Sequence, residues 1–420
     1  MKESTPTGHL PTLIASFLHF DLSFMLWVLL GALGIYIAES LGLSPSEKGM
    51  MVAVPILSGS LLRIPLGLLS DRIGAKRVGV GLLAFLFLPL TLGWQIGESL
   101  PTLLLVGLML GTAGASFAVA LPLASRWYPA ERQGLVMGIA AAGNSGTVLA
   151  NLLAPRLADV AGWHNVLGMA MAPLALVLVA FLLMAKDCPS HAKGQPLGHY
   201  LTALKHGDMW LFCLFYSVTF GGYVGLSSFL PIFFRDQYKV DPVTAGYLTA
   251  LAAFIGSGLR PFGGYLADRF TGVRVLSVLL LGIGGVYLAG SMLPPLPIMV
   301  GVLVLGMACL GMGNGSVFQL VPQRFRQEIG VATGMIGALG GLGGFMLPTL
   351  LGGMREGAGS FGPGFFVLGS LALVALGVLR FLIFLQEGWR VSWSLSTSTT
   401  AADRRTVLAT VEVTECGLGD

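Results

Sequence analysis

Twelve stretches of apolar sequence, each long enough to cross a lipid bilayer, constrain this chain more than any other feature. A membrane-spanning helix needs about 20 consecutive apolar residues. Only 10% of the residues are charged, against roughly 25% in ordinary soluble domains, which excludes a water-soluble globule. Alternating polarity typical of β-barrel strands is absent, so we predict an all-α membrane protein. Its helices are expected at 12–38, 48–69, 78–97, 101–126, 134–157, 163–185, 209–234, 243–267, 274–293, 297–323, 330–354 and 362–385.

A polar interval in the middle of the chain separates six apolar stretches from six others. We therefore predict an N-terminal six-helix half over residues 1–185, a cytoplasmic central loop at 186–208 and a C-terminal six-helix half over 209–385. Residues 386–420 are rich in Ser and Thr, and we expect them to form a disordered cytoplasmic tail.

The distribution of basic residues predicts the orientation of the helices. Of the 24 Lys and Arg residues, 17 fall in the intervals on the side of the chain ends and five on the opposite side. Cytoplasmic loops carry the excess of Lys and Arg. Both termini are therefore expected in the cytoplasm, with the protein in the inner (cytoplasmic) membrane.

An internal repeat relates the two predicted halves. Residues 59–78 (GSLLRIPLGLLSDRIGAKRV) align without gaps with residues 256–275 (GSGLRPFGGYLADRFTGVRV), and ten of the twenty positions are identical. The identities include charged residues, which chance similarity between apolar segments would not reproduce. Parallel repeats of this kind are typical of transporters whose substrate site lies near the bilayer midplane, between the halves.

Arg63 and Arg260 occupy equivalent positions in this repeat, and each is the only charge deep within its apolar helix. A charged residue near the centre of a membrane helix is costly, so it usually faces a polar cavity and has a partner. Two guanidinium groups suit a small anion held from both sides. The alternative is that both side chains snorkel to an interface or bind helix carbonyls.

Charged motifs follow the two arginines at the ends of the same helices. DRIGAKR at 71–77 and DRFTGVR at 268–274 resemble the DRxGxxR loop motif of the major facilitator superfamily, with Thr271 in place of Gly in the second copy. A carboxylate–arginine pair between halves can hold one side of a carrier shut. A solvated loop that serves only orientation is the alternative. The predicted gating residues are Asp71, Arg72, Arg77, Asp268, Arg269 and Arg274.

Glycine-rich stretches, AAGNSG in the fifth helix and GALGGLGG in the eleventh, complete a pattern with the arginine helices and with GASF in the fourth. Over essentially all twelve helices the chain resembles the nitrate/nitrite porters of the major facilitator superfamily. The resemblance implies a fold of two pseudo-symmetric six-helix halves, and a nitrate or nitrite anion clamped between the two arginines. The substrate-binding residues that it implies are Arg63, Arg260, Phe117, Asn144, Tyr216, Phe220, Asn314 and Ser316. We assign the GALGGLGG stretch to helix motion.

The function expected from this pattern is transport of nitrate, nitrite or both by alternating access, as nitrate/nitrite exchange or as nitrate/proton symport. We expect neither catalytic activity nor a cofactor or metal, because no motif for them is present. The bilayer, the anion and protons are the expected partners, and neither nucleic acid nor an obligate protein partner is indicated. A carrier of a carboxylate or phosphate is one alternative, and a nitrate sensor that acts through the tail is another.

Two titratable residues of the first helix, His19 and Asp21, invite a role in proton coupling. A buried carboxylate can titrate near neutral pH. Their sequence position suggests a place near the cytoplasmic end of the helix, so we expect a solvated or capping role and leave both out of the predicted site.

Overall fold

The computed structural model describes residues 8–128, 130–188, 206–325, 329–385 and 389, and these residues contain twelve helices that can span a membrane. This confirms the predicted all-α class and makes the chain a multi-pass membrane protein. The first six spans are α1 (Leu10–Trp27), α2 (Pro45–Ile73), α3 (Ala75–Ile96), α4 (Leu100–Ser125), α5 (Val136–Ala161) and α6 (Trp163–Met184). The second six are α7 (Gly207–Tyr238), α8 (Pro242–Phe270), α9 (Gly272–Ser291), α10 (Leu296–Val321), α11 (Ala332–Ala358) and α12 (Gly362–Leu385).

Four of the spans depart from regular α-helix geometry. The α1 helix stops at Trp27 and continues as two short helices, Leu29–Ala32 and Gly34–Leu41. The α4 and α5 spans contain 3-10 segments at Gly111–Ser116 and Ala142–Ser145, and α7 contains a π-helical turn at Ser217–Gly221. Such interruptions inside helices often mark functional positions. Those of α4, α5 and α7 lie within the spans, and that of α1 lies where the span ends.

The internal repeat is visible in the structure of α2 and α8. Both helices have 29 residues, and their first and last residues are each separated by the 197 positions that relate the sequence repeats. Both also begin with the same kind of N-cap followed by Pro. Ser44 accepts from the backbone N–H of Glu47, and Asp241 accepts from that of Thr244. A side-chain acceptor of this kind satisfies backbone donors that the first turn of a helix leaves free.

Burial divides the spans into a central and a peripheral set. The α7 and α4 spans are the most buried, with 72% and 67% of their apolar windows inside the protein, whereas α12 and α6 have 22% and 28%. Exposed apolar side chains are abundant on the peripheral helices, for example Leu183 and Phe384. A surface of this kind is stable only against lipid, because large exposed apolar patches are rare on proteins in water. The α4 and α7 spans therefore belong to the protein interior.

Twelve is an even number, so α1 begins and α12 ends on the same side of the bilayer, which we name the terminal face; the other side is the far face. Ion pairs join the two halves at the far face. Lys48 lies 2.8 Å from Asp236, and Arg235 lies 2.7 Å from Glu39. Glu356 accepts further hydrogen bonds from Ser44 and Ser46 across the same junction. The far side of the protein is thus held shut between the halves.

At the terminal face, the two motif carboxylates bind partners in their own halves. Asp71 accepts a 2.5 Å hydrogen bond from Arg126 of the first half, and Asp268 accepts one of 2.9 Å from Gln319 of the second half. Neither of these two contacts is the predicted carboxylate–arginine pair between the halves. The guanidinium of Arg269 packs 5.5 Å from the ring of Phe270. Of the other motif arginines, Arg72 and Arg77 are exposed and Arg274 is half-buried.

The predicted central loop and tail fall mostly outside the described residues. One residue of the tail is described, and it is packed: the Trp389 side chain is 1% exposed, and its ring lies 4.5 Å from the guanidinium of Arg324. The indole N–H of Trp389 donates to Asp208 at the start of α7. The expectation that the whole tail is disordered is therefore wrong at this position, because an aromatic side chain gains more from packing on α7 than a polar tail residue would.

Candidate functional site

Arg63 is fully enclosed in the middle of the protein. Its side chain is 1% exposed, although it carries a charge. Nε donates to the carbonyl of Gly114 in α4 at 3.1 Å, and Nη1 donates to the carbonyl of Gly337 in α11 at 2.5 Å. The first carbonyl belongs to its own half and the second to the opposite half. Arg63 therefore connects the two halves through one guanidinium group.

Three aromatic rings surround the same guanidinium. Its Cζ lies 5.4 Å from the ring of Trp27, 5.2 Å from that of Phe117 and 4.9 Å from that of Phe220. Ring faces attract cations, most strongly where water is excluded. The rings stabilise the charge of Arg63 without offering a negative charge of their own, so the site retains its positive charge for a ligand.

Arg260, the repeat partner of Arg63, faces the same region from α8. Its Cζ lies 5.9 Å from the ring of Phe318. The ring of Tyr216 is perpendicular to that of Phe318, with centroids 4.9 Å apart, and is stacked parallel on Phe220 at 4.9 Å. Tyr216 thus contacts one ring that lies beside Arg63 and one that lies beside Arg260. The two guanidinium groups and the aromatic cluster thus form one site.

Three hydrogen-bond donors of this site have no acceptor among the residues that the structure describes. They are Nη2 of Arg63, Nη1 of Arg260 and the hydroxyl of Tyr216, and all three atoms are buried. Buried polar groups are nearly always hydrogen-bonded, so unpaired ones call for a ligand or water. Two of these donors are cationic and none of the three groups is anionic. The arrangement is therefore suited to a small anion that accepts several hydrogen bonds between aromatic faces.

The predicted polar neighbours differ in what they can offer. Asn144 and Asn314 are each 1% exposed, and the Oδ1 atom of each lacks a partner. An amide can rotate by 180° to present its NH2 group in place of its oxygen. Ser316, in contrast, donates its hydroxyl to the carbonyls of Gly263 and Met312. Its only donor is used between α8 and α10, so in this structure it contributes to the packing of these helices.

The glycine-rich stretch of α11 brings this helix close to its neighbours. A Cβ on Gly340 or Gly341 would overlap the side chains of Tyr216 and Ser60, respectively. A Cβ on Gly337 would fit, since it would lie 3.5 Å from Nη1 of Arg63, an ordinary contact distance. Gly337 instead contributes the backbone carbonyl to which Arg63 donates. The glycines therefore have a packing role in this structure, besides the helix motion assigned to them.

Two aromatic residues of the site were not predicted from the sequence. Trp27 lies on the helix face that also carries Phe20 and Phe24, and its indole donates to the carbonyl of Pro55 at 2.8 Å. Phe318 follows GMGNGS in α10 and touches both Tyr216 and Phe117. The sequence did contain a signal for Trp27, because the aromatic residues Phe20, Phe24 and Trp27 recur at helical spacing. For Phe318 the sequence offers no comparable pattern.

His19 and Asp21 are not at the end of a helix in solvent, contrary to expectation. His19 is fully buried, with Nδ1 2.7 Å from the Ser116 hydroxyl and Nε2 3.2 Å from the Gly79 carbonyl. Asp21 is half-buried and accepts a 2.6 Å hydrogen bond from Ser145 in α5. The sequence could not indicate that α4 and α5 pack over these two residues, which bind Ser116 and Ser145 of those spans.

A comparison with protein families matches residues 15–348 to the model described as Major Facilitator Superfamily. Among curated proteins, the "Nitrite extrusion protein" of Bacillus subtilis is 34% identical over 369 residues, 87% of this chain and 92% of the relative. The "Probable nitrate/nitrite antiporter NarK1" of Thermus thermophilus is 34% identical over 409 residues, 89% of this chain and 91% of the relative.

The "Probable nitrate transporter NarT" of Staphylococcus epidermidis is 31% identical over 355 residues, 84% of this chain and 91% of the relative. Among solved structures, a bacterial homologue of the human lysosomal transporter Spinster, in an inward-facing and unoccupied conformation, matches with a TM-score of 0.66. It covers 96% of this chain and 97% of its own at 18% identity, which supports the fold alone. The chain therefore belongs to the nitrate/nitrite porter family of the major facilitator superfamily.

Proposed function

We propose that the protein carries nitrate and nitrite across the membrane by alternating access, with Arg63 and Arg260 holding the anion between the halves. The observation that carries this proposal is the set of three unpartnered donors, two of them on arginines, enclosed by aromatic rings. The printed names of the relatives, which concern nitrate and nitrite, support the same substrates.

A flat monoanion fits these donors better than a larger or more highly charged one. Nitrate and nitrite spread one negative charge over oxygens in a plane, and planar guanidinium groups donate in parallel pairs to such oxygens. The stacked rings of Tyr216 and Phe220 can cover one face of a planar ligand. Phosphate or a carboxylate dianion would need additional hydroxyl or ammonium donors, and competition by these anions would expose an error in the proposed substrate.

The positive charges also determine when the carrier can move. Two uncompensated guanidinium groups repel each other in a site without water, so an empty site resists closure. Bound anion lowers this barrier, which favours exchange of one anion for another unless a further negative charge of the protein offsets the arginines of the empty site. The proposed setting is the inner membrane with both termini cytoplasmic, and halves at 1–185 and 209–385 that rock around the fixed site.

The proposed function is tested by uptake into vesicles that contain the purified protein. We expect labelled nitrate to enter nitrite-loaded vesicles, with saturation and with inhibition by external nitrite but not by phosphate. Empty vesicles under an inward proton gradient measure net uptake separately. Saturable binding with no flux in either vesicle would favour the sensor, and uptake blocked by a carboxylate would favour a different anion.

The Tyr216 hydroxyl provides a test of the site itself. We expect Tyr216→Phe to weaken nitrate binding about tenfold, because a hydrogen bond to a charged group contributes roughly 1.5 kcal/mol or more. Tyr287→Phe is the matched control, since the Tyr287 hydroxyl is also buried and unpartnered but lies in α9, away from both arginines. Isothermal titration with nitrate measures both variants. Equal affinities in the two would remove Tyr216 from the proposed site.

A further inference from the structure

Asp21 occupies a position that no other carboxylate of the described helices shares. Every other Asp or Glu there lies within two residues of a helix end, whereas Asp21 is 11 residues from the start of α1 and six from its last residue. Arg63 is ten residues from the end of α2 at the same face. At 1.5 Å per residue, both lie about 15 Å from the terminal ends of their helices. Asp21 is thus at the depth of the anion site.

Asp21 is connected to the site through one residue of α5. Ser145 donates to its carboxylate, and the preceding residue is Asn144, whose buried Oδ1 has no hydrogen-bond partner among the described residues. Both belong to the 3-10 segment Ala142–Ser145. Glycines on either side bring this segment against the α1 backbone: a Cβ on Gly143 would lie 2.8 Å from the Asp21 amide nitrogen. A change at the carboxylate therefore acts on the segment that carries Asn144.

The helices packed around Asp21 bring few other charges near it. The α4 span contains none, and α5 contains none between residues 136 and 155. The α2 helix contributes Arg63, and the α1 helix itself contributes His19, which is engaged by Ser116 and Gly79. The other charged residues and the histidine of these spans lie towards helix ends: Glu47, Lys48, Asp71 and Arg72 of α2, Lys76 and Arg77 of α3, Arg156 and Asp159 of α5, and His164 of α6. Asp21 is half-buried and has no basic partner among its hydrogen bonds.

The charges of the two arginines, the anion and Asp21 suggest a role for a carboxylate at the depth of the anion site. With an anion bound and Asp21 protonated, the two arginines leave a net charge of one positive unit. With the anion released and Asp21 ionised, the net charge is again one positive unit. A proton that enters and leaves with the anion therefore keeps the charge of the moving core constant, so the loaded and the empty carrier meet a similar electrostatic barrier to closure.

On this basis we propose that Asp21 is the proton-binding residue of the carrier, taking up one proton with each anion and releasing it with the anion on the other side. Ser145 holds the ionised carboxylate, and protonation of Asp21 weakens this hydrogen bond and frees the Asn144 segment to close on the anion. The inference rests on the proposed function, because it assigns a second substrate to the same transport cycle.

The test compares proton and nitrate movement in vesicles that contain a trapped pH indicator. In the wild type, we expect nitrate entry to acidify the lumen with about one proton per anion. In Asp21→Asn, we expect both this acidification and net uptake into empty vesicles to fall at least tenfold. Exchange of nitrate for internal nitrite should be retained. Asp21→Glu should restore proton entry in part. The control is Asp159→Asn, an exposed aspartate at the far end of α5, which should behave as wild type.

The following outcomes would overturn the proposed role of Asp21. Acidification that survives in Asp21→Asn would overturn the proposal, as would a variant that binds nitrate normally but has lost exchange as well as proton entry. Should Asp21→Asn fail to fold, Ser145→Ala retains the carboxylate and removes its donor. We then expect a displacement of the pH profile of uptake by about one unit, and an unchanged profile would overturn the proposal. A wild type that moves no nitrate would instead refute the proposed function.

Discussion

Replacing Arg63 or Arg260 with Lys should reduce nitrate transport by about 100-fold or more, although the charge is kept. The Arg63 guanidinium binds carbonyls on two helices and still has Nη2 available for a ligand. An ammonium group is a point charge without this planar fork, so Lys cannot serve both carbonyls and the anion. Loss of two charge-assisted hydrogen bonds corresponds to roughly 3 kcal/mol or more. Uptake into nitrite-loaded vesicles measures the effect.

Arg156→Lys is the control for this prediction. Arg156 is an exposed arginine of α5 whose guanidinium lies 4.7 Å from the ring of Tyr247 at the far face, remote from the anion site. We expect its replacement to leave uptake within about twofold of the wild type, since exposed interactions of this kind contribute little. Wild-type rates in either Arg63→Lys or Arg260→Lys would remove both residues from the proposed site.

The second large effect is expected at the far face, where α2 and α11 touch through glycines. A Cβ on Gly352 would lie 2.5 Å from the carbonyl oxygen of Pro45 and 3.2 Å from the Cα of Gly49. Gly352→Val should therefore prevent this face from closing. An overpacked contact costs about 1–3 kcal/mol, which displaces the equilibrium between closed and open forms by roughly 10- to 100-fold. We expect uptake to fall by a similar factor while nitrate binding is retained.

The open far face can be detected directly. Ala38 is buried and lines a cavity of about 310 Å³ between the halves at this face, together with Lys48 and Asp236. A cysteine introduced at Ala38 should react with a membrane-impermeant maleimide faster when Gly352→Val is also present. Gly353→Val is the matched control, because a Cβ there meets no atom within 4 Å. Equal labelling rates and equal uptake in the two variants would contradict the steric explanation.

The helices and the paired arginines could be predicted because their signals are local or repeated. A long apolar run identifies a span by itself, and the observed bounds of α2 and α8 keep the 197-residue offset of the sequence repeat, although both helices are longer than predicted. The partners of Arg63 could not be predicted in this way. Its bond to Gly337 joins residues 274 positions apart, and a carbonyl acceptor leaves no mark on the sequence. The same limit explains why Phe318 was not predicted and why Ser316 was expected to face the ligand.

The depth of polar residues was also difficult to predict, since it depends on where a helix begins. Asp21 was placed near the end of its span, and the structure places it level with Arg63. The motif carboxylates present the opposite case. Asp71 and Asp268 are where the repeat puts them, but the sequence could not indicate that Arg126 and Gln319 of their own halves would be their neighbours.

The unequal surroundings of the two arginines have a consequence for the thermodynamics of binding. Arg63 is held by two carbonyls and three rings, so the conformational entropy of its side chain is already lost when the protein folds. Arg260 is half-buried beside Phe318 and retains rotamer freedom that a bound anion would remove, at a cost of up to about 2 kcal/mol. Sequence-equivalent residues therefore act as a rigid and an adaptable arm. Most of the conformational entropy lost on binding an anion in the proposed site is therefore expected at Arg260.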